Sequence, residues 1–239
     1  MKQIIYSVKI KDIVYFSLNY CLYRSMKNHC NNCHNSENII NHRFHPEKKG
    51  IRVFGVAESF RPPHIKSTIA GVVMRRDLII DGIVLSSTTL KGNDSTENIL
   101  CMFKSLKRSD INCIMLDGLI ISMYNIIDGK LIQIETGLPV IAITFEDSAG
   151  LETSIRHHFP DNPELKLEQY GKLGKRDRVL LKTGKFLFIR YWGLTLKHAI
   201  TILNSFTLQG SIPEPVRLAK LVAHSTHTLY EKLENGDSE

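Results

Sequence analysis

Ile111-Asn112-Cys113-Ile114-Met115-Leu116-Asp117-Gly118 is the stretch on which the fold turns. Its apolar run is too short for a core-spanning helix and lacks the alternation of a half-buried strand. It therefore reads as a short strand buried on both faces and stopped by an Asp-Gly turn. Such strands belong to parallel sheets covered by helices, and the flanking sequence supplies the helices. Upstream, Asp94 followed three residues later by Glu97 marks a helix start. Ile99, Leu100, Phe103 and Leu106 then form one face, with an end expected near Arg108. Downstream, the stretch from Tyr124 to Glu135 is compatible with a helix and Leu138 to Phe145 with a second buried strand.

Further toward the start lie three apolar runs. Ile51 to Ala57 ends at Glu58 and the Pro62-Pro63 turn. Ile69 to Met74 and Leu78 to Leu85 are separated by Arg75-Arg76-Asp77, as in a hairpin. Asp81-Gly82 inside the third run suggests a local bulge or turn. The order becomes strand, strand, strand, helix, strand, helix, strand, with a further helix over residues 150–159. That is the order of the ribonuclease H-like fold, an α/β class in which an antiparallel meander is continued by parallel strands with crossover helices. Past Pro160 the chain adds strands near Val179 to Leu181 and Phe186 to Tyr191, then helices over Leu196 to Leu208 and Glu214 to Leu233. Pro213 and Pro215 stand where a helix start tolerates proline.

With 239 residues, 43% apolar and 23% charged, the chain is long enough to bury a substantial core, and disorder is not its default. A formal charge of +7 favours polyanionic partners such as nucleic acid. No apolar run is long enough to span a bilayer, and no signal-peptide pattern opens the chain, so an intracellular, cytoplasmic location is expected. Five cysteines, partly inside apolar runs, favour reduced thiols over a disulfide framework.

Residues 1–49 form an atypical extension rich in Cys, His and Asn. Residues 50–233 form the main domain, and residues 234–239 an acidic tail. In the extension, Cys30-Asn31-Asn32-Cys33-His34 has the spacing of haem attachment. With Cys21, His29, His42 and His45 it also offers zinc ligands. A poorly ordered segment, or sequence upstream of a true start at Met26 or later, fits it better than either.

Three acids stand at ends of core elements: Glu58 after the first strand, Asp94 at the first helix, Asp117 after the fourth strand. Open sheets present ligand-binding groups at such ends. The first and fourth strands are neighbours in this fold, so Glu58 and Asp117 are expected to share a divalent metal with Asp94. Hard oxygen ligands select Mg2+ or Mn2+, which can activate water for phosphodiester cleavage. The structural alternatives are an N-cap for Asp94, a turn for Asp117-Gly118 and a solvated strand end for Glu58.

The segments Gly55-Val56-Ala57-Glu58-Ser59-Phe60, Ile114-Met115-Leu116-Asp117-Gly118, Thr136-Gly137-Leu138-Pro139-Val140 and Gly210-Ser211-Ile212-Pro213-Glu214-Pro215-Val216-Arg217 resemble the archaeal endonuclease dU family. The resemblance covers nearly all of residues 50–230. It implies a ribonuclease H-like fold related to endonuclease V and metal-dependent nicking of DNA at deoxyuridine. Glu58, Asp94 and Asp117 would be the metal-binding catalytic acids. The chain departs from the family where many relatives carry adjacent aspartates and it has Ala57-Glu58. Deoxyuridine recognition requires a pocket for a flipped base. Tyr124 and Asn125, close to the acids in sequence, and Glu214 and Arg217, at the last helix start, are the substrate-binding candidates. The competing readings are a non-catalytic nucleic-acid or protein-binding module, favoured by Ala57, and an endonuclease acting on structured RNA.

Overall fold

Three apolar runs joined by short polar connections zip into an antiparallel meander of β1 (Arg52–Ser59), β2 (Lys66–Arg75) and β3 (Ile80–Thr89). The computed structural model describes residues 46–61, 64–147 and 150–235. The expectations for the Cys- and His-rich segment up to residue 45, for the Pro62-Pro63 turn and for residues 236–239 lie outside the described residues.

After the meander, α1 (Ser95–Ser105) crosses over to β4 (Cys113–Asp117), which runs parallel to β1. A small ribbon, β5 (Ile120–Ile121) and β6 (Asn125–Ile126), precedes α2 (Gly129–Thr136). That helix leads to β7 (Val140–Thr144), parallel to β4. Helices α3 (Glu152–His158) and α4 (Glu164–Lys172) then lead to an edge hairpin of β8 (Asp177–Leu180) and β9 (Phe186–Trp192), with β9 antiparallel to β7. Helices α5 (Leu196–Phe206) and α6 (Glu214–Asn235) close the described chain. The seven-stranded sheet has the order β3-β2-β1-β4-β7-β9-β8. This is the expected ribonuclease H-like mixed sheet, extended at one edge by the hairpin.

Side-chain alternation along each strand divides the core into two layers. Phe54, Val56, Ile69 and Leu116 pack with Ile99 and Met102 of α1 and Ile132 of α2. Val53, Met115, Ile141 and Ile189 pack on the other face with Ile202 and Phe206 of α5 and Val216 of α6. Among the described residues, no helix is long and apolar enough to cross a membrane.

Several local expectations change. Helix α1 ends at Ser105, before the expected Arg108. The segment after Tyr124 is not helical until Gly129, because Ser122, Met123 and Tyr124 have φ of 46°, 55° and 73°. Asn125 and Ile126 pair instead with Ile120 and Ile121. The helix starts where Asp128 accepts a hydrogen bond from the Leu131 amide at 2.9 Å, a side-chain cap. Helix α4 was not expected, since its sequence presents no continuous apolar stripe and only Lys166 within it is buried. Asp81 is a bulge residue: the β2–β3 register passes from Val73↔Gly82 to Met74↔Ile80 and skips it. Cys113 is a buried thiol, as expected for a cysteine inside an apolar run.

Helix α6 lies along β1 and β2 at very short range. A Cβ placed on Gly55 would stand 2.5 Å from the Pro215 carbonyl carbon and 2.6 Å from its Cβ. Backbone atoms cannot yield as a flexible side-chain tip can, so Gly55→Ala is expected to lower stability by about 1–3 kcal/mol. Gly171→Ala, at a helical position with nothing within 4 Å, is expected to cost nothing. Denaturant titration of the two variants checks the contrast.

Candidate active site

The carboxyl ends of β1 and β4 meet at a small crevice lined by Ala57, Glu58, Leu116, Asp117, Gly118 and Ile121, with apolar side chains behind them. Glu58 and Asp117 therefore both border this crevice, at the ends of adjacent strands, but their carboxylates leave the sheet on opposite pleats. Val56 pairs with Leu116 in the parallel register, and both belong to the α1 layer. One residue on, Ala57 and Asp117 turn toward α6, where Ala57 packs on Ala219 and Asp117 accepts a hydrogen bond from Lys220 Nζ at 3.1 Å. Glu58 turns the other way. Its two oxygens accept from the Ser122 amide and the Ser122 hydroxyl, each at 2.7 Å.

Ser122 gives its hydroxyl proton to Glu58, so Ser67, 2.6 Å away, must donate to Ser122. The Ser122 carbonyl accepts from the Lys91 amide at 2.8 Å. These bonds hold three consecutive non-glycine residues in the left-handed region, which costs roughly 1–2 kcal/mol per residue. The strained turn is what aims the Ser122 amide at Glu58.

Asp94 is differently employed. Its side chain does not cap α1 but turns back to the end of β3. There it accepts from Thr88 Oγ1 at 2.6 Å, Thr89 Oγ1 at 2.9 Å, the Thr89 amide at 3.2 Å and Asn125 Nδ2 at 2.7 Å. Four donors fill the lone-pair positions of a carboxylate. Burial pushes this acid up, but the hydrogen bonds from Thr88, Asn125 and Thr89 outweigh it and hold it below the ordinary aspartate range. Of the three acids, Glu58 and Asp117 border the crevice, while Asp94 is held in its own closed cradle and does not line it. Glu58, Asp94 and Asp117 are not a set of ligand atoms within 4.8 Å of one another.

The substrate-binding candidates separate in the same manner. Asn125 has no exposure. Its amide donates to Thr88, Thr89 and Asp94 and accepts from the Ser95 amide at 3.2 Å, so it is an interior brace and offers nothing to a base. Tyr124 is partly exposed and packs against His158 and Phe159, with ring centroids at 5.1 and 6.0 Å. Glu214 is buried and accepts from Arg217 Nε at 2.8 Å and Nη2 at 2.5 Å. The Pro-Glu-Pro-x-Arg start therefore has a local purpose: Pro215 seats on Gly55, and Glu214 orients Arg217, whose half-exposed guanidinium lies one helical turn before Lys220.

Three groups at or near these acids and on α6 carried no reading in the sequence. Ser122 carries no sequence signal, because its part depends on a left-handed turn. Lys220 is one lysine among many. The third is a cluster of His64, His227 and Glu231, whose ligand atoms all lie within 4.8 Å, a group able to hold a metal ion. His224, His227 and Glu231 recur at helical spacing, and that signal was available.

The model of the family described as Endonuclease dU matches residues 49–227. The chain belongs to that family. An archaeal relative from Pyrobaculum calidifontis, described as a UPF0215 protein, is 36% identical over 169 residues, covering 70% of this chain and 92% of its own. A UPF0215 protein of Methanosarcina acetivorans is 34% identical over 180 residues, covering 74% and 90%. Among solved structures, a protein of unknown function from Archaeoglobus fulgidus superposes with a TM-score of 0.62 at 25% identity, covering 74% of this chain and 98% of its own. Endonuclease V of Ciona intestinalis, in complex with DNA containing an inosine, gives a TM-score of 0.51 at 15% identity over 76% of this chain and 88% of that one. At that identity the likeness concerns the fold, which this endonuclease dU family member shares with endonuclease V.

The Asp94 cradle ties β3, β6 and α1 together. Asp94→Asn puts an amide donor among donors and is expected to cost about 1.5–3 kcal/mol, as for a hydrogen bond to a charged group. The pH dependence has a definite sign. A carboxyl held below its unfolded value contributes stability that is present above the unfolded value of about 3.9 and is lost as pH falls through the folded one. Wild type should therefore lose stability on acidification below about pH 4 more steeply than Asp94→Asn, measured by urea titration across that window.

Proposed function

We propose that this chain is a divalent-metal-dependent endonuclease that nicks DNA at deoxyuridine. The observation that carries the reading is the placement of Glu58 and Asp117 beside one small crevice at the carboxyl ends of adjacent parallel strands, where sheets of this type present reactive groups. The family description and the fold shared with endonuclease V support it.

The donor set suits a hard cation that keeps most of its water: two carboxylates, one on Ser122 and one on Lys220, each with lone pairs to spare. Such an ion, Mg2+ or Mn2+ held by Glu58 and Asp117, would supply an activated water and charge stabilisation for phosphodiester hydrolysis. Ser122 holds Glu58 in place. Asp94 acts at one remove, by bracing Asn125 next to the strained turn. Arg217 and Lys220, exposed on the same face of α6, fit phosphate contacts beside Asp117. Tyr124, packed at a tilt on His158 and edge-on to Phe159 at the other end of the 122–124 turn, offers an aromatic surface for an extruded base.

A second reading has its own observation. In the strand register, the residue beside Asp117 on the same pleat is Ala57, and the charge facing Asp117 is the Lys220 ammonium. A site neutralised by lysine where a carboxylate is missing fits a module that binds DNA without cutting it. Wild type is expected to nick a uracil-containing duplex with Mg2+ or Mn2+, and neither with chelator nor on a lesion-free duplex. Asp117→Asn is expected to lose nicking by several orders of magnitude while its affinity, set by lysine and arginine contacts to phosphates, stays within a few-fold. Tight binding by wild type without metal-dependent nicking would move the assignment to the second reading.

A further inference from the structure

We propose that His64, His227 and Glu231 form a zinc site that clamps the β1–β2 connection to the far half of α6. Glu231 Oε1 points between two imidazole nitrogens, His64 Nε2 at 3.4 Å and His227 Nε2 at 3.7 Å. Zinc–nitrogen and zinc–oxygen bonds of about 2.0–2.1 Å at tetrahedral angles put ligand atoms about 3.4 Å apart. Two of the three separations are therefore close to that value already, and the third is within 4.8 Å. Two histidines and one carboxylate are a donor set for zinc and similar borderline ions, unlike the all-oxygen set at the crevice.

The second observation is at His227. This residue is only 5% exposed, and its Nε2 has no hydrogen-bond partner. Its Nδ1 lies 3.3 Å from the Thr68 hydroxyl on β2. When Nδ1–H donates to Thr68, the proton is fixed there and the Nε2 lone pair is left aimed at Glu231 and His64. An outer hydrogen bond that sets the tautomer in this way is the usual support of a metal-bound histidine. An unpartnered buried nitrogen is costly without a ligand. The remaining Glu231 oxygen, Oε2, accepts from Arg61 at 3.4 Å, which orients the carboxylate. Three protein ligands leave a fourth position for water.

The site is separate from the crevice: its ligands come from the loop after β1 and from the last turns of α6, on the α6 side of the sheet, where Ser59 Oγ meets His224 at 3.5 Å. It does not rest on the nuclease reading. The test is zinc binding by the full-length protein, first stripped with chelator, in competition with a chromophoric chelator, and Co2+ absorption in parallel. Wild type is expected to bind zinc at this site, with a gain in thermal stability and an intense visible cobalt spectrum. His64→Ala, in the partly exposed loop, and Glu231→Gln are each expected to weaken zinc by at least about a hundredfold and to abolish the thermal gain. Thr68→Val, which removes an outer partner, should cost about 10–100-fold. Cys30→Ser with Cys33→Ser separates this site from the cysteines at the start of the chain: zinc retained in that variant supports the clamp. Asp117→Asn should bind zinc as wild type does, whether or not the protein cuts DNA. Zinc affinity and thermal gain unchanged in both His64→Ala and Glu231→Gln, or no binding by wild type, would overturn the proposal.

Discussion

The seating of Pro215 on Gly55 sets the position of everything on the α6 side of the sheet. Gly55 supplies no side chain, so a helix start can rest directly on β1. From that anchor, the helix runs along the strand: Ala219 reaches Ala57, Lys220 reaches Asp117, His224 reaches Ser59, and His227 reaches Thr68. Pro215, Ala219 and His224 follow one another by about one helical turn and meet Gly55, Ala57 and Ser59 on one face of β1, while Lys220 and His227 reach the neighbouring strands β4 and β2. The small residues Ala57 and Ala219 keep the gap narrow. A bulkier residue at either would lift the helix and pull Lys220 from Asp117.

On the opposite face the decisive element is a turn of unfavourable backbone. Ser122, Met123 and Tyr124 store strain that only the surrounding bonds sustain, namely Glu58 on the Ser122 amide and hydroxyl, Lys91 on its carbonyl and Ser67 on its hydroxyl. Asp94 and Asn125 brace the next residues, and Lys166, drawn below its ordinary range by burial, donates to Gly92 and Asn93 in the same loop. Strain held in place by a redundant set of bonds is characteristic of functional regions. Here it ends at a carboxylate and an aromatic ring.

Much of the sheet was legible because its strands are uninterrupted apolar runs with polar stops, and Asp117 could be placed at a strand end from Ile114 to Gly118 alone. The pleat on which Glu58 faces could not. That parity depends on the pairing of Val56 with Leu116, and sequence periodicity does not fix pairing between strands 60 residues apart in sequence. Asp94 was correctly placed beside α1, but its partners sit on β3 and β6, so its closed cradle was invisible. The helix expected from Tyr124 failed because three residues of ordinary type take a conformation that propensity assigns to glycine. The histidines of α6 were legible as a spacing, but His64, from a loop more than 150 residues away in sequence, was needed to complete them.

Helix α6 also makes a single lever of two regions that are chemically unlike. Lys220 and His227 are two turns apart on one unbroken helix, so neither can shift without the other shifting as well. Thermodynamic reciprocity makes any such coupling mutual: an anion at Lys220 that changed the hold of an ion at the far end would have its own hold changed by the same factor.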